Sequence, residues 1–356
     1  MRLVFVTQTF DPAHPVLAQT VDLVDALAAR VEHLAVVTRT AEGPAPENAS
    51  VRTFDARTRG GRVAAFEQAV AAAGRGADAI LVHMVPQFAL LAYPLAKVRR
   101  TPLFLWYTHW HASRALRAAT RVVDAALSVD ASSYPVATPH LRAIGHAIDV
   151  ARFDAPPCVT HDGPLRLLAL GRTARWKGLA TLLDALELID GDVALEIRGP
   201  SLTPDEETHR RELERRADGE RVRILPPVER DDVPRLLAGV DALVSPHEPR
   251  AGATLDKAVY EAAACRRPIV STNAAFRPLL GDLPLELLAP PRDPVALAER
   301  IRELADALPA VRAATGEELR ARVVAQHSLD HWADEVIRLV TEVRSPRGTA
   351  GSRRSE

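Results

Sequence analysis

Cysteine is nearly absent: Cys158 and Cys265 are the only two in 356 residues, and they stand more than a hundred positions apart. Neither a disulfide framework nor a cysteine-rich zinc site can be built from them, and a reducing cytoplasm is the expected home. Net charge is also lacking, because 45 Lys plus Arg stand against 46 Asp plus Glu. That balance excludes a polycation that coats nucleic acid, and it leaves local basic sites to be found individually. Long apolar runs are missing as well. The opening MRLVFVTQTF is too short in apolar residues for a signal-peptide core and reads as a first strand. The most apolar window, 79–96, is broken by His83, Pro86 and Gln87, so it reads as a buried strand followed by a helix and not as a membrane span.

What is present is an ordinary globular composition, 47% hydrophobic and 26% charged, in a chain long enough for about two domains. Short apolar runs alternate with helical patterns, the rhythm of parallel sheets with crossover helices. The first half offers strands at 3–6, 34–37, 80–83, 103–106 and 126–129, with helices at 21–31, 62–73, 88–98 and 113–123. The rhythm breaks at 151–164, ARFDAPPCVTHDGP, which has three prolines and no periodicity, as an interdomain linker does. It then restarts with strands at 165–170, 193–198, 221–225, 242–245 and 268–271, and helices at 179–189, 204–217, 255–265, 294–307 and 331–343. The polar tail is expected to be disordered.

Two phosphate-binding signatures are missing. The turns after the first strand of each half, TQTFDPAHP and GRTARWKG, lack a GxGxxG pattern, and no Walker loop occurs, so dehydrogenase and ATPase chemistry are excluded. The second turn does place Gly171, Arg172 and Lys177 between a buried strand and a helix start at Gly178. Unpaired backbone N–H groups, an arginine fork and a lysine point charge suit a diphosphate and can stabilise leaving-group charge without a metal. The same residues also fit a solvated turn with two surface cations. Further on, Glu261 sits on a helix beside alanines, where it could accept hydrogen bonds from the vicinal hydroxyls of a ribose or simply face solvent.

Taken together, GHAIDVARF at 145–153, GRTARWKG at 171–178, VDALVSP at 240–246 and YEAAACRRPIV at 260–270 resemble glycosyltransferase family 4 over almost the whole chain to about residue 343. That resemblance implies an α/β GT-B fold: two facing Rossmann-like domains with parallel sheets and a last helix, HSLDHWADEVIRLV, crossing back to the first domain. The expected divisions are 1–155 on the acceptor side, 156–330 binding the nucleotide sugar, 331–343 for the crossing helix and 344–356 for the tail. The resemblance further implies a retaining, metal-independent hexosyltransferase of carbohydrate biosynthesis acting in the interdomain cleft. It needs no cofactor beyond its nucleotide diphosphate sugar donor, which Gly171, Arg172 and Lys177 would hold by the diphosphate and Glu261 by the ribose. The alternative is a subunit of the same fold that binds nucleotide sugars without turnover.

The pattern departs from the family in two places. Eight positions before Glu261 the family has a glutamate on the donor sugar, and here stands Ala253, in a loop that looks long and whose Gly252 is a further donor-binding candidate. Glu248 could re-enter the site from that loop, or the Asp256 and Lys257 pair could substitute; Asp256 also reads as a first-turn carboxylate favoured by the helix dipole. In the first domain a glycine pair is replaced by FDPAHPVLAQ at 10–19. LWYTH at 105–109, after the fourth strand, resembles a branch of the family in which a histidine reaches the donor sugar, which makes His109 a catalytic candidate ahead of His111 and His83. Arg114, Arg117 and Arg121 share one helix face. It reads as a solvated basic face or, with a lipid-linked instead of a soluble carbohydrate acceptor, as a peripheral contact with the inner face of a membrane.

Overall fold

The structure is a computed structural model and describes residues 1–14, 17–157, 163–248 and 255–344. In chain order the first elements are β1 (Arg2–Val6), β2 (Thr9–Phe10), α1 (Thr20–Ala28), β3 (His33–Thr38), β4 (Thr40–Ala41), β5 (Ala49–Thr53) and α2 (Arg59–Ala73). They are followed by β6 (Ala79–His83), α3 (Pro86–Arg99), β7 (Leu103–Trp106), α4 (Arg114–Val122), β8 (Ala125–Ser128) and β9 (Leu141–Ala143). The second run comprises β10 (Leu165–Leu170), α5 (Leu179–Glu187), β11 (Val193–Arg198), α6 (Pro204–Glu214), β12 (Val222–Leu225), α7 (Val233–Ala238) and β13 (Ala242–Ser245). It closes with α8 (Lys257–Ala264), β14 (Ile269–Ser271), α9 (Arg277–Leu280), α10 (Pro294–Asp306), α11 (Pro309–His327) and α12 (Leu329–Arg344).

These elements form two compact units, one of residues 1–147 together with α12, the other of Ile148–Ser328. The first holds a seven-stranded sheet in the order β5-β3-β1-β6-β7-β8-β9, all parallel. The second holds a five-stranded parallel sheet, β12-β11-β10-β13-β14. Both are Rossmann-like: strand order runs outward one way and then reverses, and the reversal opens a crevice beyond the strand C-termini. The central strands are continuous apolar runs, as burial on both faces requires; Leu3, Val4, Phe5 and Val6 are all buried.

The last helix belongs to the first unit. Trp332, Ala333, Val336, Leu339 and Val340 recur at helical spacing on its buried face, and the Trp332 ring lies 4.9 Å from that of Trp106. Arg30, which follows α1, fixes its start through Asp330 at 2.8 Å.

The first unit ends at Ala147, ahead of the division expected after residue 155, because the chain just beyond it is fastened to the second unit. Arg320 of α11 donates to the carbonyls of Val150 and Phe153 at 3.2 and 3.1 Å, and Arg266 donates to that of Ala155 at 2.7 Å. Residues 158–162 of the expected linker, Pro15 and Val16 of the proline-rich loop, and the tail 345–356 lie outside the described residues, and Cys158 with them. Cys265 is buried, and burial pushes its thiol up to about 12, so it packs as an inert apolar group.

Seven elements were not anticipated, β2, β4, β5, β9, α7, α9 and α11, and two of them are instructive. β5, ASVRT, is a partly exposed edge strand without an apolar run, and because of it β7 is the fifth strand of its sheet in chain order and not the fourth. α11 spans 19 residues but buries only four of them, so its sequence carries little periodicity. Among the described residues no helix is long and apolar enough to cross a membrane.

Candidate functional site

In the second unit the reversal of strand order lies between β10 and β13, and the loops leaving these two strands carry most of the predicted residues. After β10, Gly171 adopts a φ of +144°, and a short 3-10 turn over Arg175–Lys177 leads into α5. The helix starts at Leu179 with Gly178 as its N-cap. Gly178 has a φ of +68°, and a Cβ there would stand 1.6 Å from the Pro246 carbonyl oxygen. Only glycine lets the two loops touch at this point. They are further joined by the Glu248 N–H, which donates to the Trp176 carbonyl at 2.9 Å.

This contact encloses a recess lined by Gly171, Arg172, Lys177, Ser245, His247 and Asp256. Lys177 Nζ pairs with Asp256 Oδ2 and lies 4.7 Å from the centroid of the Trp176 ring. His247 Nε2 reaches the same carboxylate oxygen at 2.6 Å. All three side chains are largely buried, 11% exposed for Lys177, 17% for Asp256 and 5% for His247. Burial alone would raise the Asp256 carboxyl, but the Lys177 charge and the hydrogen bond and charge of His247 outweigh it and hold the group well below the usual carboxylate range. Arg172 is likewise paired: Nη2 meets Glu206, Nε approaches the other carboxylate oxygen at 3.4 Å, and Glu206 is buried while Arg172 remains 42% exposed.

The predicted residues therefore divide. Gly171, Arg172 and Lys177 come together, and Asp256 joins them through Lys177. As the N-cap of α8, Asp256 makes no capping hydrogen bond with its side chain, so its role is the ion pair and not helix termination. Glu248 turns to Arg292 at 2.8 Å and is absent from the recess lining. Glu261, one turn into α8, pairs with Lys257 at 3.4 Å and also lies outside that lining. The Asp256 and Lys257 pair thus splits between two partners. Gly252 and Ala253 lie outside the described residues. Two participants, His247 and Glu206, were not predicted; the only signal for His247 was its place two residues past β13, at a strand end.

In the first unit His109 is exposed in the loop that leaves β7, where its Nδ1 accepts the His111 N–H at 3.1 Å and its ring stacks on Trp110 at 5.3 Å. His111 is exposed nearby, and its carbonyl accepts the Tyr107 hydroxyl at 2.9 Å. His83 is a core residue. It packs between Phe5 and Trp106 with Nδ1 3.0 Å from the Thr7 hydroxyl, and burial lowers its imidazole to about 4. Arg114, Arg117 and Arg121 are all exposed on α4.

The same two-unit architecture occurs in sucrose-phosphate synthase from Thermosynechococcus elongatus, with a TM-score of 0.75 at 19% identity over 96% of this chain and 99% of that one. A glycosyltransferase from Rickettsia africae matches with a TM-score of 0.77 at 13% identity over 97% and 99%. The fold is GT-B. HepE of Anabaena, solved with UDP and glucose, shares the GT-B architecture with a TM-score of 0.73 at 16% identity over 96% and 99%. Residues 164–307, the body of the second GT-B unit with its recess, match the model of the family described as Glycosyl transferases group 1. No curated protein sequence matches the chain. The family match covers this part of the chain, and the likeness to the solved structures is one of fold.

Proposed function

We propose that the protein is a retaining, metal-independent glycosyltransferase that moves a hexose from a nucleoside diphosphate sugar to the hydroxyl of a carbohydrate or lipid-linked acceptor. The observation that carries this reading is the recess at the strand-order reversal of the second unit, where Lys177, Arg172 and the start of α5 converge within the segment that matches the family. Departure of the diphosphate breaks the bond at the anomeric carbon and leaves negative charge on a phosphate oxygen. Lys177 and the backbone N–H groups of the α5 start stabilise that charge, and the phosphate oxygen takes the acceptor proton on the same face, so configuration is retained.

Lys177 is paired with Asp256, whose place as its partner the diphosphate would take. Donor binding is then an exchange, in which Lys177 turns to the diphosphate and Asp256 keeps His247. Glu261 releases Lys257 to hold the ribose, and His109 hydrogen-bonds the donor sugar. UDP-glucose is the first donor to test, because HepE has been solved with it and a trehalose-phosphate synthase of the same fold is described as UDP-forming.

The test is release of UDP from UDP-glucose by the purified protein in excess EDTA, with the anomeric configuration of any product read by NMR. Undiminished turnover and a retained anomer are expected. Activity lost in EDTA and restored by manganese overturns metal independence, and an inverted product overturns the same-face displacement. If every nucleotide sugar binds and none is turned over, transfer itself is overturned.

A further inference from the structure

The first unit has its own crevice beyond the strand C-termini, and it is built differently. β3 ends next to Arg39, β5 ends next to Phe54, and these residues meet α2 and α3 around a cavity of about 580 Å3. That volume falls within the roughly 300 to 1,000 Å3 of small-molecule pockets. Its floor is an aromatic trio: Phe54 meets Phe66 and Phe88 edge-on at 5.0 and 5.3 Å, and Phe66 stacks on Phe88 at 5.2 Å. Val63 and Leu91 extend the apolar surface, and Val63 is 38% exposed.

Three arginines stand over this floor, Arg39, Arg59 and Arg62. Among the described residues none of them has a carboxylate partner; Arg62 donates only to the Ala56 carbonyl at 3.4 Å. Arg59 and Arg62 also lie in the first turns of α2, where the helix dipole favours acids, and that first turn holds no acidic residue. Cations without counter-charge, placed against the local dipole above a floor of buried Phe54 and Phe66 and partly exposed Phe88, Val63 and Leu91, form a local conflict that a ligand of opposite charge would resolve.

We infer that this cavity binds a phosphomonoester of an apolar group, with the phosphate on Arg39, Arg59 and Arg62 and the apolar group on Phe54, Phe66 and Phe88. Guanidinium forks match phosphate oxygens bidentately, and a dianion answers several cations better than a monocarboxylate does. The inference goes beyond the transfer reading, because the site is complete within the first unit and its ligand is detected without turnover.

Calorimetry on the full chain tests it with octyl phosphate below its micelle concentration and with phenyl phosphate, against inorganic phosphate and octyl glucoside as controls. At least one of the two esters is expected to bind at least about tenfold more tightly than either control, and which one binds identifies an alkyl chain or an aryl ring as the source. Arg39→Ala and Arg59→Ala, both at exposed positions, are each expected to weaken that ester about tenfold, as loss of a charged hydrogen bond does, while UDP affinity stays unchanged. Esters that bind no better than inorganic phosphate, or bind both variants as they bind wild type, overturn the inference. UDP release from UDP-glucose, measured separately, speaks to the transfer reading alone.

Discussion

Two crevices beyond strand C-termini treat charge in opposite ways. In the second unit Lys177 and Arg172 are already paired, with Asp256 and Glu206. In the first unit Arg39, Arg59 and Arg62 face no carboxylate among the described residues and stand above aromatic surface. Under the proposed function, an anion entering the second crevice displaces a carboxylate, which would reject weak anions and select a diphosphate with more charge to offer. An anion entering the first crevice adds to what is there, and selection falls to the apolar floor. Strand order positions a pocket. The side chains the loops carry decide whether binding is exchange or addition.

The comparison breaks most severely at Gly178. Gly178→Ala should lower stability by more than about 3 kcal/mol and abolish UDP binding, because the new Cβ would overlap the Pro246 carbonyl in a positive-φ backbone. Thermal melting and calorimetry check this, and octyl phosphate binding in surviving folded protein should persist. Next in size is Lys177→Ala, expected to slow sugar transfer about a hundredfold as loss of one charge-stabilising donor. Wild-type turnover by this variant would remove Lys177 from the diphosphate.

Asp256→Asn sharpens the comparison, since it should convert exchange into addition. UDP affinity is expected to rise several-fold while the melting temperature at pH 7 falls, because Lys177 is left buried without its partner. The folded-state carboxyl lies below its ordinary value of about 3.9, so its contribution to stability is present above that value and is lost as pH falls through the lowered one. Melting followed from pH 5 downward should therefore show an acid-dependent loss in the wild type that Asp256→Asn lacks. A confined effect is expected for His109→Ala, about a tenfold loss of transfer with unchanged UDP affinity, because the proposed nucleotide contacts all lie in the other unit. A parallel loss of UDP affinity and melting temperature would mark His109 as a packing residue.

Much of the fold was legible because buried parallel strands write themselves as apolar runs: 165–170, 193–198, 242–245 and 103–106 end where the sequence pattern ends. β5 was invisible for the opposite reason, since an edge strand with one exposed side needs no such run. Of the candidate site, GRTARWKG announced Lys177 through its glycines and cations. The sequence could not show that Lys177, His247 and Asp256 form one cluster, because they are brought together by contacts between loops some 70 residues apart, the Gly178 approach among them. Nor could it show that Glu248 points away, since Arg292, 44 positions on, draws it there.

The return of α12 to the first unit bears on how the chain emerges from the ribosome. The second unit is one uninterrupted stretch, Ile148–Ser328, inserted into a first unit whose halves are synthesised far apart. At roughly 5 to 20 residues per second, translation of that stretch takes on the order of ten to forty seconds. Throughout this interval the face of the nascent first unit that will receive Trp332, including the ring of Trp106, has no cover. The inserted unit can complete its core while its host waits, so the order of folding runs against the order of synthesis. Chaperone dependence should accordingly concentrate on the first unit.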